Sequence, residues 1–391
     1  MRVLYINHDA ASNGLLGSNV ALYNLIKSFK DEMEIAMVFP SEGVLVDKCR
    51  EMGVKFYVLY AYRMSVYPST PTLKRKIKYP LTLLNTIRRR YIAIWNLSKI
   101  VEEFKPDIIH TNVGPQDIGH IVAKKYGIPH VWHIREYQDK DFGTKPFPSM
   151  AAFREHLHEP NNHLISITKD IFRYFEMSEE KDRVIYDGVF NKKEINIKKE
   201  KKPYFLFAGS MSEAKGVDIL LRAYAAYTRQ GGTYALKIAA AWSELYGPVL
   251  KDIVREEGLD YRVEFLGYRK DVYEWMSEAS AEIVASRFEG FGFITAEAMY
   301  NNCLVIGHNT AGTKEQFDNG LEYTGKEIGL RYDTEKELTG YLLAVERNGQ
   351  EYYADMIERA FQMVNTHYTN QIYAANVKKF YEHILSTRKS L

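Results

Sequence analysis

The sequence predicts an α/β protein of two domains, and three observations carry that prediction. Short apolar, β-rich runs alternate with stretches of helical periodicity from the first residues onward. The alternation breaks over residues 192–203, where Lys and Glu repeat ahead of Pro203, and it restarts at Tyr204-Phe205-Leu206-Phe207-Ala208-Gly209. With 391 residues the chain is long enough for two domains of ordinary size, each with its own core. In open parallel sheets of this kind, ligands bind beyond the carboxyl ends of the strands.

Composition narrows the class. The chain is 46% apolar and 26% charged, as expected of a soluble globular protein. It has no run of eighteen apolar residues, and residues 1–6 lead directly into a strand pattern. Neither a spanning helix nor a signal peptide is expected, and the expected location is the cytoplasm. Cys49 and Cys303 lie far apart without metal-ligand spacing, so two free, mostly buried thiols are expected.

In the first half, Val3-Leu4-Tyr5-Ile6 reads as a buried strand, followed by an Asn/Gly-rich loop and a helix whose Leu22, Leu25, Ile26 and Phe29 share one face. Ser18 or Asn19 can cap that helix. Gly14 and Gly17 either let the loop approach a ligand closely or serve only the turn. Glu34–Phe39 and Phe56–Leu59 continue as strands around a helix near 43–52.

Then comes a basic block. Between Met52 and Val101 there are ten Lys and Arg and no carboxylate, so against an overall charge of +2 the rest of the chain carries −8. Lys74, Arg75, Lys76, Lys78, Arg88, Arg89 and Arg90 are interleaved with Leu81, Leu83, Leu84, Ile87, Tyr91, Ile92, Ile94 and Trp95. The pattern fits a surface lying on anionic lipid, where each cation contributes about 1 kcal/mol. It also fits a solvated helix face. Nucleic acid is disfavoured, because the patch is single and has no accompanying motif. The lipid reading predicts a protein peripheral on the inner face of the cell membrane.

Residues 105–112 and 127–136 read as further strands, with His133 just past an apolar run, facing a cleft. Asp139-Lys140-Asp141 reads as solvated surface. His163–Thr168 and Arg183–Val189 close this half.

In the second half the turn Gly209–Gly216 precedes a helix near Val217. It is not a Walker A loop, because the order is Lys215-Gly216 and not Gly-Lys-Ser/Thr. Ala235–Ile238 and Val263–Gly267 are strands, and Arg269-Lys270-Asp271-Val272 opens a helix. Ile283-Val284-Ala285 leads into Ser286-Arg287-Phe288-Glu289-Gly290-Phe291-Gly292-Phe293-Ile294-Thr295-Ala296-Glu297, then a short helix and the strand Cys303–Gly307. A Gly-rich turn running into a helix offers bare N–H groups to an anion. Glu289 ahead of the glycines and Glu297 in the first helical turn are acceptors for hydroxyls. Phosphate plus polyol points to a nucleotide sugar. As bare patterns, Glu297 also suits the helix dipole and the glycines a tight turn. Thr295 replaces the third glycine of a dinucleotide fingerprint.

The stretch Ser286–Met299, with its two glutamates in E-x7-E spacing, resembles the signature of the large retaining glycosyltransferase family of GT-B fold, often called family 4. Six segments match in order along nearly the whole chain. The resemblance implies two Rossmann-like domains facing an interdomain cleft. Residues 1–190 would bind the acceptor and 203–367 the nucleotide sugar, with the helix of about 368–391 crossing back to the first domain. The implied reaction moves a hexose- or N-acetylhexosamine-type residue from a nucleoside diphosphate sugar, expected to be a UDP-sugar, to a hydroxyl, with no metal and no cofactor. The implied acceptor is a glycan or lipid-linked molecule of bacterial polysaccharide, glycolipid or teichoic acid assembly.

The resemblance also assigns residues. Glu289 would orient the sugar hydroxyls, Glu297 the ribose, and His133 the sugar from the opposite domain. Lys215 and the backbone around Gly290, Phe291, Gly292, Phe293 and Ile294 would hold the diphosphate, with the Gly17 loop closing over it. Ser210 stands where the family has an arginine and cannot supply a bidentate cation. Either Arg287 or another cation compensates, or diphosphate binding weakens. Ala239-Ala240-Ala241-Trp242 replaces family glycines and would reshape the nucleotide pocket. Asp139-Lys140-Asp141 matches the metal-binding D-x-D of the other major glycosyltransferase fold only weakly. Two other readings remain open, a nucleotide-sugar epimerase of the same fold and a non-catalytic partner subunit. Ser210 and the alanine run make the latter conceivable.

Overall fold

The computed structural model describes residues 1–11, 17–60, 62, 66–69, 71–194 and 198–389, with the side chains of Arg75, Lys76 and Lys389 excepted. Gly14 therefore lies outside the described residues, as do the side chains of Arg75 and Lys76. The chain divides into two compact units, Met1–Gly188 with Asn370–Leu391, and Val189–Thr369.

The first unit contains β1 (Arg2–Asn7), β2 (Glu34–Phe39), β3 (Lys55–Val58), β4 (Val66–Pro68), β5 (Ile108–Asn112), β6 (His130–Ile134), β7 (Thr144–Pro146), β8 (Asn162–Ser166) and β9 (Arg183–Val184). Seven of these form a parallel sheet in the order β3-β2-β1-β5-β6-β8-β9, while β4 and β7 pair antiparallel. Helices cover both faces, so the central strands are buried along nearly their whole length. From β1 the chain steps outward to β2 and β3, then returns to β5 on the other side of β1. The carboxyl ends of β1 and β5 are thus a topological switch point.

The second unit repeats the plan with β10 (Lys202–Ser210), β11 (Ala235–Ala241), β12 (Val263–Phe265), β13 (Ala279–Val284), β14 (Val305–His308) and β15 (Leu330–Tyr332). Their order is β12-β11-β10-β13-β14-β15, all parallel, with the switch point between β10 and β13. The core beneath includes Phe205, Phe207, Leu220, Leu221, Ile238 and Ile306.

Several local expectations change. The basic block is a single helix, Leu73–Phe104, that continues through Pro80. The helix Ser18–Phe29 starts after Gly17 without a side-chain cap. Neither Ser18 nor Asn19 caps it, because Asn19 turns inward to donate to Asp9 and accept from Asn7. The helix after the Gly-rich turn is Phe293–Tyr300, which puts Glu297 in its second turn and away from the dipole end. Both cysteines are free and buried.

Candidate active site

In the second unit, adjacency in the sheet brings the sequence-distant residues together. β10 and β13 run side by side and in the same direction, so the turns that follow them meet at one end of the sheet. The backbone N–H of Arg287 donates to Ala214 O at 2.8 Å and ties the two turns together. Gly216 sits where the fit is tightest. Its φ is +64°, and an added Cβ would lie 2.0 Å from Ala285 O, so only glycine fits.

Across this junction Lys215 Nζ donates to Glu289 Oε2 at 2.7 Å. Thr313 Oγ1 donates to Glu289 Oε1 at 2.9 Å, and Ser286 Oγ to Oε2 at 3.3 Å. Burial works to raise the Glu289 carboxyl, but the Lys215 ammonium and these hydroxyls outweigh it and hold the group below its ordinary value. Glu289 is therefore an ionised, oriented acceptor. Gly292, φ +82°, follows closely, and a Cβ there would come within 2.8 Å of Glu289 Oε1.

Gly292 also precedes the 293–300 helix, whose first N–H groups, at Phe293 and Ile294, have no acceptor within the helix. Gln316 Nε2 donates to the carbonyls of Phe291 and Gly292 at 2.6 and 2.9 Å and so pins this turn. The Phe291 ring is buried against Phe293 and Tyr368, and the Gly290 carbonyl lies close against Gly312. An ammonium, an oriented carboxylate and a helix N-terminus thus stand together at the switch point. The set suits a ligand that is anionic at one end and hydroxylated at the other.

Glu297 is set apart from this cluster by a turn of helix. Tyr273 Oη donates to its Oε1 at 3.2 Å, and burial pushes the carboxyl up to about 7. Arg287 does not supply the missing cation. Its guanidinium forms a two-pronged pair with Asp218 at 2.9 and 2.7 Å and also donates to Glu213 O. Burial opposes ionisation of Asp218, yet Arg287 and Tyr246 hold it down at about 2. Ser210 is exposed, with its hydroxyl 3.4 Å from that of Ser212. Ala239 and Ala240 are buried in β11, and Trp242 lies over Gly247 with the Lys251 ammonium on its ring.

In the first unit the switch point carries a polar network that sequence reasoning missed. Asn112 Nδ2 donates to Asn7 Oδ1 at 2.8 Å, Asn7 Nδ2 to Asn19 Oδ1 at 2.9 Å, and Asn19 Nδ2 to Asp9 Oδ1 at 2.8 Å. Buried Arg135 donates to Asn112 Oδ1 and Tyr373 Oη, and pairs with buried Asp187. Burial works against the charge on Arg135, but Asp187 and Tyr373 outweigh it. Asparagines closing two neighbouring strands, at Asn7 and Asn112, were the available sequence signal.

His133 is corrected. It lies inside β6, fully buried, with its ring 5.5 Å from that of His110 and 6.1 Å from that of Tyr373. Burial, Arg135 and His110 together hold it well below the ordinary histidine value, so it is neutral. Gly17 is exposed, with φ +51°. Asp141 is half-buried and accepts the Tyr137 N–H at 2.8 Å, and so is not the solvated residue expected. Among the described residues no group of three or more His, Cys, Asp or Glu could hold a metal ion.

Of the basic block, Lys74, Lys78, Arg88 and Trp95 are exposed and Arg89 is half-buried. Arg90 is corrected, since it is paired with Asp117 and is not part of a free cationic face. Among the described residues no helix is long and apolar enough to cross a membrane.

Comparison with known proteins agrees with this geometry. Residues 189–363 match the family Glycosyl transferases group 1. One curated relative is the N-acetylgalactosamine-N,N'-diacetylbacillosaminyl-diphospho-undecaprenol 4-alpha-N-acetylgalactosaminyltransferase of Campylobacter jejuni. It is 24% identical over 174 residues, which span 43% of this chain and 45% of the relative. An uncharacterized glycosyltransferase of Methanocaldococcus jannaschii is 25% identical over 286 residues, 72% of each chain. Among solved structures, Anabaena Alr3699/HepE in complex with UDP superimposes with a TM-score of 0.72 at 17% identity, covering 100% of both chains. The chain thus has the GT-B fold, and its second unit carries a glycosyl transferases group 1 domain.

Proposed function

We propose that this protein is a retaining glycosyltransferase that moves a hexose- or N-acetylhexosamine-type residue from a UDP-sugar to a hydroxyl of a glycan or lipid-linked acceptor. The observation that carries the reading is the Lys215–Glu289–Thr313 cluster beside the open N-terminus of the 293–300 helix, at the β10/β13 switch point. UDP in the Anabaena neighbour and the diphospho-undecaprenol acceptor of the Campylobacter relative support the choice of donor and acceptor class.

The barrier in such a transfer lies in the charge on the leaving diphosphate and in the oxocarbenium character of the sugar. Preorganised positive groups at the diphosphate therefore contribute most. Lys215 and the backbone N–H groups of Gly292, Phe293 and Ile294 fill that role, with Gly290 and Phe291 shaping the turn. Glu289 accepts from the sugar hydroxyls and Glu297 from the ribose. The acceptor proton passes to the departing phosphate on the same face of the sugar, which retains configuration without a protein nucleophile. The Arg287–Asp218 pair, with its guanidinium about one-third exposed, shapes the turn, and Lys215 supplies a side-chain cation to the site.

A thermal-shift titration against UDP-, GDP-, ADP- and dTDP-sugars tests this. A ligand at one hundred times its dissociation constant stabilises the native state by about 2.7 kcal/mol. A shift selective for UDP-sugars and weakened in Lys215→Ala is the expected result. No shift with any donor overturns the reading. A changed sugar released from donor alone would replace it with epimerisation.

A further inference from the structure

The Leu73–Phe104 helix has two unlike halves. Ala93, Leu97, Ile100, Val101 and Phe104 are buried in the core of the first unit. Upstream, from Leu73 to Ile92, no described side chain is buried. This half is nevertheless rich in large apolar residues. Leu73, Ile77, Leu81, Leu84, Tyr91 and Trp95 are each between 60% and 74% exposed.

Their spacing is regular. At about 100° per residue all six fall within an arc of about 80°, and they run along about 33 Å of helix. The arc lies opposite the residues packed into the core. A helix on a soluble surface points its charges outward and its apolar stripe inward; here a second apolar stripe points outward. Single exposed apolar residues are ordinary, but six along one face, interrupted only by Arg88 among the described residues of that arc, mark a contact surface.

The charges beside the stripe identify its occupant. Lys74 and Lys78 flank its first half, and Arg88 stands within it. The Lys99 ammonium sits 3.4 Å over the Trp95 ring. From Gly53 to Val101 there is no carboxylate. A second copy of the chain packed on this face would set cations against cations with no acidic partner. An anionic bilayer satisfies the stripe and the cations together.

We propose that the 73–95 face of this helix docks on an anionic lipid bilayer. The helix lies in the plane of the surface, with the apolar stripe below the phosphates and Lys74, Lys78 and Arg88 among them. Trp95 and Tyr91 sit at the headgroup boundary, where amphipathic rings are favoured. The proposal stands on this helix alone. It deepens the transferase reading by bringing the protein to the surface where a lipid-linked acceptor resides.

The test is co-flotation of the full chain with phosphatidylcholine vesicles, with and without phosphatidylglycerol. Binding is expected only with the anionic lipid, and it weakens as salt is raised. Lys74→Gln with Lys78→Gln removes two cations, and partition falls by about 30-fold at about 1 kcal/mol each. Leu81→Glu with Leu84→Glu abolishes flotation. These side chains are exposed, so the variants are expected to melt at the wild-type temperature, which shows that they are folded, and to keep the UDP-induced thermal shift of the second unit. Equal flotation of wild type and the Leu81→Glu/Leu84→Glu variant overturns the proposal, as does no flotation of the wild type. A dimer by light scattering that dissociates in that variant assigns the face to self-association instead. Loss of the UDP shift in wild type would count against the transfer reaction and leave the docking result unaffected.

Discussion

Lys215 Nζ and Glu289 Oε2 lie 2.7 Å apart although 74 residues separate them in the chain. Each neutralises the other while the site is free, so neither charge is left uncompensated in a half-buried turn. In the proposed reaction an arriving diphosphate would take over part of the ammonium, and the sugar hydroxyls part of the carboxylate. The pair is therefore preorganised for a ligand bearing both groups.

Removing the ammonium should damage both functions. In Lys215→Ala the Glu289 carboxyl loses its largest compensation and titrates upward, and the diphosphate loses its side-chain cation. We expect kcat to fall by about 10²–10³-fold, in line with loss of one preorganised charge partner. Glu289→Gln should fall comparably while keeping most of the UDP thermal shift, because it touches the sugar and not the diphosphate. Steady-state kinetics beside UDP titration separates the two, and equal UDP affinity in Lys215→Ala and wild type would show that the ammonium does not meet the diphosphate.

Gly292→Ala tests the turn itself. The backbone there is left-handed, which costs an L-residue about 1–2 kcal/mol, and the new methyl would stand 2.8 Å from Glu289 Oε1. Activity should drop far more than stability, because the carboxylate must move for the methyl to fit. Gly340→Ala is the control. It lies within the Glu335–Tyr352 helix with nothing near its Cβ position, and should gain about 1 kcal/mol. Denaturant unfolding and kinetics on the two variants give the comparison. Full activity in Gly292→Ala would mean that Glu289 need not hold its present position.

The strands around both switch points were legible because burial on both faces leaves unbroken apolar runs, as in Val3–Ile6 and Ile283–Ala285. β15, with Leu330-Arg331-Tyr332, and the β4–β7 pair were not. Each is three residues long and exists only because a neighbouring strand offers its edge. Arg287 looked like a cation free for a diphosphate because Asp218, its partner, is 69 residues away and only the sheet brings it near. His133 was placed just past a strand, whereas the observed strand runs one residue beyond it. A shift of one or two residues in a strand end decides whether a side chain meets solvent or core. In the basic block, composition showed the cations and the apolar residues, but which of them point outward depended on the phase of one long helix.

Glu297 should make donor binding depend on pH. Burial raises its carboxyl from 4.5 to about 7, so the folded protein holds a proton there that the unfolded chain releases. The stability this gives is complete below the ordinary carboxylate range and is lost as pH rises through about 7. Glu297→Gln should therefore raise the melting temperature above that pH and leave it nearly unchanged at acid pH. The ionised form is the better acceptor for ribose hydroxyls, so wild-type UDP affinity should improve as pH rises through about 7, and the variant's should stay flat. Thermal melts and UDP titrations across that range check both. A parallel pH profile in the variant would assign the dependence to another group.

The ion pair of Arg135 and Asp187 should be the most sensitive point of the first unit. Both are buried, and Arg135 also donates to Asn112 and Tyr373, so it joins the end of β5, the turn after β6 and the Asn370–Lys389 helix. Asp187→Ala leaves a guanidinium that cannot lose its proton in a dry site, at a cost of about 3–5 kcal/mol. Arg135→Met leaves a carboxyl that burial already pushes upward and that can take a proton. Its cost should therefore shrink as pH falls, whereas that of Asp187→Ala should not. The double variant Arg135→Met/Asp187→Ala removes both charges together and should be less destabilised than Asp187→Ala alone. Urea unfolding of the three variants at acid and neutral pH measures the coupling. Costs that simply add would mean that the two charges do not support each other and that the contacts with Asn112 and Tyr373 hold this end of the sheet.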